Sequence, residues 1–201
     1  MLPMAVPAPR PTLTQGSDSS RTAEGSPSAS ERRLVKGAQR GSAEDFEALF
    51  ALHWPRAYRA AWLVVHDAAA AEDIAQEAFI AALRALDRFD RRRPFGPWLH
   101  RIVVNRAIDW SRARNLRREL DLETVAEPAA VERDLDSRSG ELAAALADLG
   151  PEQRAVIVLR YLLDYTPGEI AELLELPRGT VNSRLRRALD RLGGLLEHDG
   201  A

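Results

Sequence analysis

The sequence predicts an all-α protein: two small helical domains joined by a flexible acidic linker, the second a helix-turn-helix, with a disordered leader ahead of both. Three observations predict it. Apolar residues recur at three- and four-residue spacing through most of residues 42–116 and again across 140–192. Helix-start residues stand ahead of these runs at Ser42, Asp67 and Thr166. Between the two blocks lies an acid-rich stretch that contains Pro128 and little apolar periodicity. At 201 residues, 45% of them apolar, the chain has room for a real core in one ordinary domain or two small ones. The expected boundaries are 1–29 for the leader, 30–118 for the first domain, 119–139 for the linker and 140–196 for the second domain.

The leader is rich in Pro, Ser, Thr and Gly and poor in large apolar groups, so it cannot bury enough surface to offset ordering entropy. A short helix follows over Glu31 to Gln39 and ends near Gly41. Ser42 caps a longer helix, with Asp45 three residues on, that carries Phe46, Leu49 and Phe50 through to Trp62 and Val65. Pro55 either kinks that helix or starts another. Asp67 opens the next, with Ile74, Ala78, Ala81 and Ala85 inward, Phe79, Leu83 and Leu86 beside them, and Asp73, Gln76, Glu77 and Arg84 more exposed. The run from Asp90 to Pro97 holds two prolines and a glycine and reads as a shaped loop. A basic helix follows from Trp98 to Leu116. Leu99, Ile102, Val103, Ala107 and Ile108 face inward on it, and Arg101, Asn105, Arg106, Asp109 and Arg112 outward.

The second domain starts near Gly140 with a helix bearing Leu142, Leu146 and Leu149. Pro151 begins another, with Val156, Leu159 and Leu162. Thr166 then caps a helix with Pro167 at its first position and Glu169 placed to reach back. Ile170, Ala171, Leu173 and Leu174 give it an apolar face. Leu176-Pro177 breaks the run, because the residue before a proline is pushed out of helical geometry. The last helix starts near Arg178, with Val181, Leu185, Leu189 and Leu192 on one side and Asn182, Ser183, Arg186 and Arg187 largely on the other; the tail after Gly193 is expected to fray. This is the pattern of a helix-turn-helix, whose second helix enters the major groove. Arginine suits guanine edges or phosphates, asparagine suits adenine, and a serine hydroxyl serves either. The plainer alternative is an amphipathic hairpin whose arginines solvate a face.

Charge helps to choose between them. Lys and Arg number 28 against 30 Asp and Glu, a net charge of −2, whereas a free-standing DNA binder is usually basic. The charges are segregated. Residues 88–118 hold ten arginines (88, 91, 92, 93, 101, 106, 112, 114, 117, 118) against Asp90 and Asp109. Residues 119–148 hold nine acids against Arg133 and Arg138, and 178–191 hold five arginines against Asp190. Two basic patches flanking an acidic connector should bind nucleic acid weakly alone and better when a larger body holds both in place.

Other classes lack their residues. With no cysteine there are no disulfides, thiolate metal sites or thiol chemistry. The four histidines show no metal-ligand spacing, and no catalytic carboxylate pair, nucleophile constellation or phosphate-cradling glycine loop is present, so neither an enzyme nor a cofactor is expected. No apolar run reaches a membrane span and no secretory signal opens the chain, so membrane insertion is not expected and the expected compartment is the cytoplasm.

Three runs taken together carry a family resemblance: EDIAQEAFIAALRALDRFD, then FGPWLHRIVVNRAIDWSR, then LADLGPEQRAVIVLRYLLDYTPGEIAELLELPRGTVNSRLRRALDRL. In this order and with this gap they resemble the extracytoplasmic-function sigma factors of the bacterial primary sigma family, over roughly residues 31–116 and 140–192. The resemblance implies a factor that binds core RNA polymerase through the beta-prime clamp helices and the beta flap. It implies recognition of promoter DNA, first as duplex and then as melted single strand, and in many members restraint by an anti-sigma protein. A stand-alone helix-turn-helix regulator is the alternative; it predicts tight duplex binding without polymerase. A pure protein-interaction adaptor, with incidental arginines, is a third reading.

By the same resemblance, Asp73, Gln76, Glu77 and Phe79 fall in the segment that docks on the clamp helices. Phe79 fits core packing equally well, and the acids fit a solvated face. Phe89, Arg91, Arg92, Arg93, Phe95, Arg101 and Asn105 match the region that reads the melted minus-10 element, where an extruded base needs a stacking surface and the strand needs cations. Trp98 reads as core rather than as a base platform. Arg178, Gly179 and Thr180 match the helix start that holds phosphates of the minus-35 element. Asn182, Ser183, Arg186 and Arg187 match base-facing and adjacent positions, and Arg184 goes to phosphate or to an intradomain acid. Two departures stand out. Glu175 occupies a turn position where glycine is common, so a left-handed backbone there costs roughly 1–2 kcal/mol or the turn is built differently. Asn182 stands where Lys or Arg is common, which shifts base preference towards adenine.

Overall fold

The computed structural model describes residues 28–120 and 145–198, and among them every regular element is helical. The expected leader and most of the expected linker, with Leu142, lie outside the described residues. The elements are α1 (Ala29–Ala38), α2 (Ala43–Val65), α3 (Ala68–Ala85), a 3-10 turn (Leu86–Arg88), α4 (Phe95–Glu119), α5 (Pro151–Ile157) running into a π turn (Val158–Leu162), α6 (Pro167–Leu174) and α7 (Arg178–His198).

The caps explain the starts. Ser28 Oγ accepts from the Glu31 amide at 3.0 Å, Ser42 Oγ from Asp45 at 3.1 Å and Asp67 Oδ1 from Ala70 at 3.0 Å. At α6 the box is reciprocal: Glu169 Oε2 accepts from the Thr166 amide at 2.7 Å, and Thr166 Oγ1 accepts from the Glu169 amide at 3.3 Å. Between α1 and α2, Gly41 takes φ 89°. Gly37 lets Asp45 lie against α1, for a Cβ there would stand 1.6 Å from its Oδ2.

Pro55 neither breaks α2 nor starts a new element, since α2 runs unbroken through it. The helix beyond it, from Ala57 to Val65, is mostly buried, and that packing offsets the lost hydrogen bond. The basic helix starts earlier than its sequence suggests, at Phe95. First-turn amides have no intrahelical partner, so Pro97 removes nothing there, and Phe95 is fully buried. Two expected faces are rotated by one position. On α3 the buried set includes Ile74, Ala75, Ala78 and Ala82, leaving Leu83 49% exposed; on α7 it is Val181, Leu185 and Ala188, leaving Leu189 43% exposed. The α7 backbone continues in helix to His198 instead of fraying after Gly193.

α1 to α4 form the first domain, with α2 packed between α3 and α4; α5 to α7 form the second. The two meet. α4 packs against α5 and α6, and α2 packs against α5 and the π turn, so that the buried apolar residues of both domains make one continuous cluster.

Candidate nucleic-acid interface

On the second domain, α6 and α7 meet through a turn at Glu175, which adopts the left-handed conformation (φ 54°, ψ 43°). The turn is therefore the usual one, built with glutamate. The Leu176 amide bonds to Ala171 O at 2.9 Å and the Glu175 amide to Glu172 O at 3.4 Å, which satisfies carbonyls at the helix end. Val181, Leu185 and Ala188 anchor α7 inward. Arg178, Gly179, Asn182, Arg186 and Arg187 are exposed along its N-terminal half, while Thr180, Ser183 and Arg184 are half-buried. Ser183 Oγ donates to Thr180 O at 2.9 Å, and the Thr180 amide bonds back to Pro177 O at 2.9 Å. Arg184 lies close enough to Glu152 to act on it. Partial burial pushes the Glu152 carboxyl up, but a hydrogen bond from Arg112 and the nearby guanidinium groups bring it below its ordinary value.

On the first domain, the loop between the 3-10 turn and α4 presents Arg91, Arg92 and Arg93 to solvent. Asp90 shapes it: its Oδ1 accepts from the backbone amide and from Nε of Arg92, each at 3.0 Å. Those bonds hold the Asp90 carboxyl below the usual carboxylate range. Behind the loop the aromatic residues interlock. Phe89 stacks on Trp98 with ring centres 4.5 Å apart, and Phe95 meets both edge-on at 6.0 and 5.6 Å. Phe95 is fully buried and Phe89 nearly so, whereas Trp98 is half-buried. Of the three rings, then, Trp98 offers the most surface to a ligand, and Phe95 supports it from beneath. Arg101 is half-buried and Asn105 exposed, both on α4. Arg88, Phe89, Arg93, Trp98 and Arg101 form one wall of a cleft of about 710 Å³.

Gln39, at the end of α1, is a residue that sequence reasoning missed. Its amide nitrogen donates to Leu86 O at 2.8 Å and to Phe89 O at 3.0 Å, pinning the backbone that leads into the arginine loop. A lone polar residue some fifty positions from its partners leaves no signal in the sequence.

On α3, Asp73, Gln76 and Glu77 share an exposed stripe with Ile80 and Leu83, 48% and 49% exposed. Gln76 donates to Glu72 at 3.2 Å, and Arg106 of α4 donates to Glu77. Phe79 is 3% exposed, 4.6 Å from the Phe50 ring, and belongs to the core. Sequence reasoning did not single out Ile80 and Leu83 as an exposed apolar pair beside these acids.

Two helical units with these surfaces match known proteins. Residues 49–117 match the family model for Sigma-70 region 2, and residues 139–192 match that for Sigma-70, region 4. The chain is 30% identical over 178 residues to the ECF RNA polymerase sigma factor SigW of Bacillus subtilis (strain 168), covering 80% of this chain and 94% of that one. The chain belongs to the extracytoplasmic-function sigma factors. Two solved sigma factors are similar over both domains. CnrH, in complex with the cytosolic domain of CnrY, superposes with a TM-score of 0.64 at 32% identity, covering 85% of this chain and 99% of that chain. RpoE of Bartonella quintana, in complex with the anti-sigma factor NepR, gives 0.60 at 27%, covering 77% and 98%. As a sigma factor the protein directs RNA polymerase to promoters and initiates transcription. Its family acts by binding rather than by catalysis. Among the described residues no helix is long and apolar enough to cross a membrane, and no group of three acids or histidines is placed to hold a metal.

Proposed function

We propose that this sigma factor divides promoter recognition between its two arginine-bearing faces. The α7 set, with Arg178, Gly179, Asn182, Arg186 and Arg187 exposed and Thr180 and Ser183 half-buried beside them, holds the minus-35 duplex, with Arg184 braced beside Glu152. The first domain takes the opened minus-10 strand: Arg91, Arg92, Arg93 and Arg101 hold its backbone, Trp98 over Phe89 offers a stacking surface, and Asn105 offers an amide to a base edge. Phe95 acts here as a support and not as a base contact. The α3 stripe of Asp73, Gln76 and Glu77, extended by Ile80 and Leu83, docks on the polymerase clamp helices, and the second domain docks on the beta flap. The protein works in the cytoplasm and catalyses nothing itself. An anti-sigma partner is proposed as well, because a relative of the same fold is held by one.

The observation that carries this reading is the presence, on one chain, of a largely exposed recognition set on α7 and an arginine-rimmed aromatic face on the other domain. Run-off transcription with purified core polymerase and a promoter library tests it. Transcripts are expected only when the protein is added. Tight, specific binding to duplex DNA without polymerase would instead favour the stand-alone regulator.

A further inference from the structure

Four buried polar atoms that bond to no protein group lie along one seam, where α5 packs against both α2 and α4. They are Trp62 Nε1 and His66 Nε2 at the end of α2, Ser111 Oγ on α4 and Arg154 Nε on α5. Trp62, Ser111 and Arg154 are only 7%, 3% and 8% exposed. Contacts of their neighbours bring the four together. The Trp62 and His66 rings lie 6.2 Å apart, and Arg114, one turn beyond Ser111, donates at 3.1 Å to Asp67, the residue after His66. Arg112, next to Ser111, donates to Glu152 at 2.8 Å, which sets the start of α5, and Arg154 with it, against the same stretch of α4. His66 is half-buried, so the seam reaches solvent at that corner.

We infer that this seam binds one small oxyanion of the phosphate class. Its donors are the Arg154 guanidinium, the Trp62 indole N–H, the Ser111 hydroxyl and His66 with its proton on Nε2. All four groups can donate, and arginine and tryptophan can do nothing else. Such a set suits a ligand that only accepts. A single water molecule offers two lone pairs, too few for four donors, whereas a tetrahedral oxyanion offers several acceptor oxygens.

Charge points the same way. The two acids at the seam are already engaged: Asp67 accepts from Arg114 and from the Ala70 amide, and Glu152 accepts from Arg112. Arg154 has no ion pair among the described residues. Burial pulls its guanidinium down to about 10 against an opposing pull from Glu152, so it is still charged at neutral pH. A buried charge without its opposite is costly, and a bound anion removes that cost. His66 adds no second cation, because burial and then Arg154 lower it to about 4. None of the four residues belongs to either set proposed to hold DNA. Three come from the first domain and Arg154 from the second, so the ion draws its ligands from both and stabilises the fold that presents them.

The test titrates the full chain, isotopically labelled at histidine, with inorganic phosphate at fixed pH and ionic strength, and in parallel with adenosine monophosphate. The ring resonance of His66, assigned by its loss in His66→Gln, and the melting temperature are read. A saturable shift of that resonance and a rise in melting temperature are expected. A response to phosphate alone identifies the free ion; a response to the nucleotide, with or without it, identifies a phosphate carried on a larger molecule. Trp62→Phe keeps a ring and loses one N–H, and Ser111→Ala loses the hydroxyl; each should weaken binding roughly three- to tenfold, the worth of one hydrogen bond. Arg154→Met removes the charge and should abolish the response, while Arg33→Gln, the same change of charge at an exposed position of α1, should leave it intact. No saturable shift of His66 overturns the site. A shift that keeps full affinity in both Trp62→Phe and Ser111→Ala overturns it too, because the ion then sits elsewhere, and this comparison decides the matter even where Arg154→Met fails to fold.

Discussion

Arg101 of α4 and Glu175 of the helix-turn-helix turn form an ion pair that joins the two domains. Glu175 holds φ at +54°, a conformation that glycine adopts freely and glutamate only at a penalty of roughly 1–2 kcal/mol. The side chain that strains the turn is the one that reaches the other domain.

Glycine and alanine at position 175 should therefore behave differently. Glu175→Gly relieves the backbone and loses the pair, so it is expected to hold stability constant or raise it by up to about 1 kcal/mol. Glu175→Ala keeps the strained φ and loses the pair, and should lower stability by up to about 1 kcal/mol. Urea unfolding of the two variants measures the gap. Equal midpoints would mean that the left-handed turn carries no strain.

Gln39 offers a second test, one that separates holding the loop from holding the fold. Gln39→Ala removes two hydrogen bonds to the carbonyls of Leu86 and Phe89 and should lower stability by about 1–3 kcal/mol. Its larger effect is expected on strand opening, because the freed segment leads into Arg91, Arg92 and Arg93. Permanganate reactivity of promoter thymines should drop several-fold in holoenzyme that still binds closed duplex normally. If opening and closed binding fall together, Gln39 only supports the fold.

The elements that capping and periodicity govern were legible in the chain. Thr166, Pro167 and Glu169 announce α6 because the box is local, and Ser42 and Asp67 announce α2 and α3 in the same way. What failed to show depends on the tertiary environment. Phe95-Gly96-Pro97 looks like loop, and only the burial of Phe95 makes it a first turn. Leu83 falls beside the apolar face of its helix in the sequence and Leu189 on that of its own, but it is their neighbours Ala82 and Ala188 that are buried, a choice made by the helices packed against them. The left-handed geometry at Glu175 was anticipated as one possibility, but nothing local pairs it with Arg101, seventy-four residues earlier.

Stability should depend on pH through two histidines, His100 buried and His66 largely so. Burial first, then Arg154, pushes His66 down to about 4; burial first, then His53 and Arg56, pushes His100 down to about 3. Unfolded histidine titrates near 6.5, so between that pH and the folded values the unfolded chain binds more protons. The stabilisation is fully present above pH 6.5 and is lost as pH falls, by about 1.4 kcal/mol per pH unit for each histidine until its folded value is reached. Urea midpoints at pH 7.5 and pH 5 measure it, with His66→Gln and His100→Gln each expected to flatten the profile. A flat profile in the parent chain would rule out neutral burial of either ring.

The minus-35 assignment predicts a graded response along α7. Arg186 and Arg187 are both exposed, and Val181, Leu185 and Ala188 beneath them fix the side of the helix they occupy. Alanine at either should leave folding within about 0.5 kcal/mol of the parent, since surface changes away from special contacts do little. If the side chain reads a base edge, promoter binding by holoenzyme should weaken by about 1–3 kcal/mol and discrimination at one base pair should relax. If it holds a phosphate, binding should weaken evenly across sequences and the salt dependence should become shallower. Comparing both variants on a promoter library at two salt concentrations separates the outcomes. Unchanged binding and transcription in both would move the minus-35 contact off this face of α7.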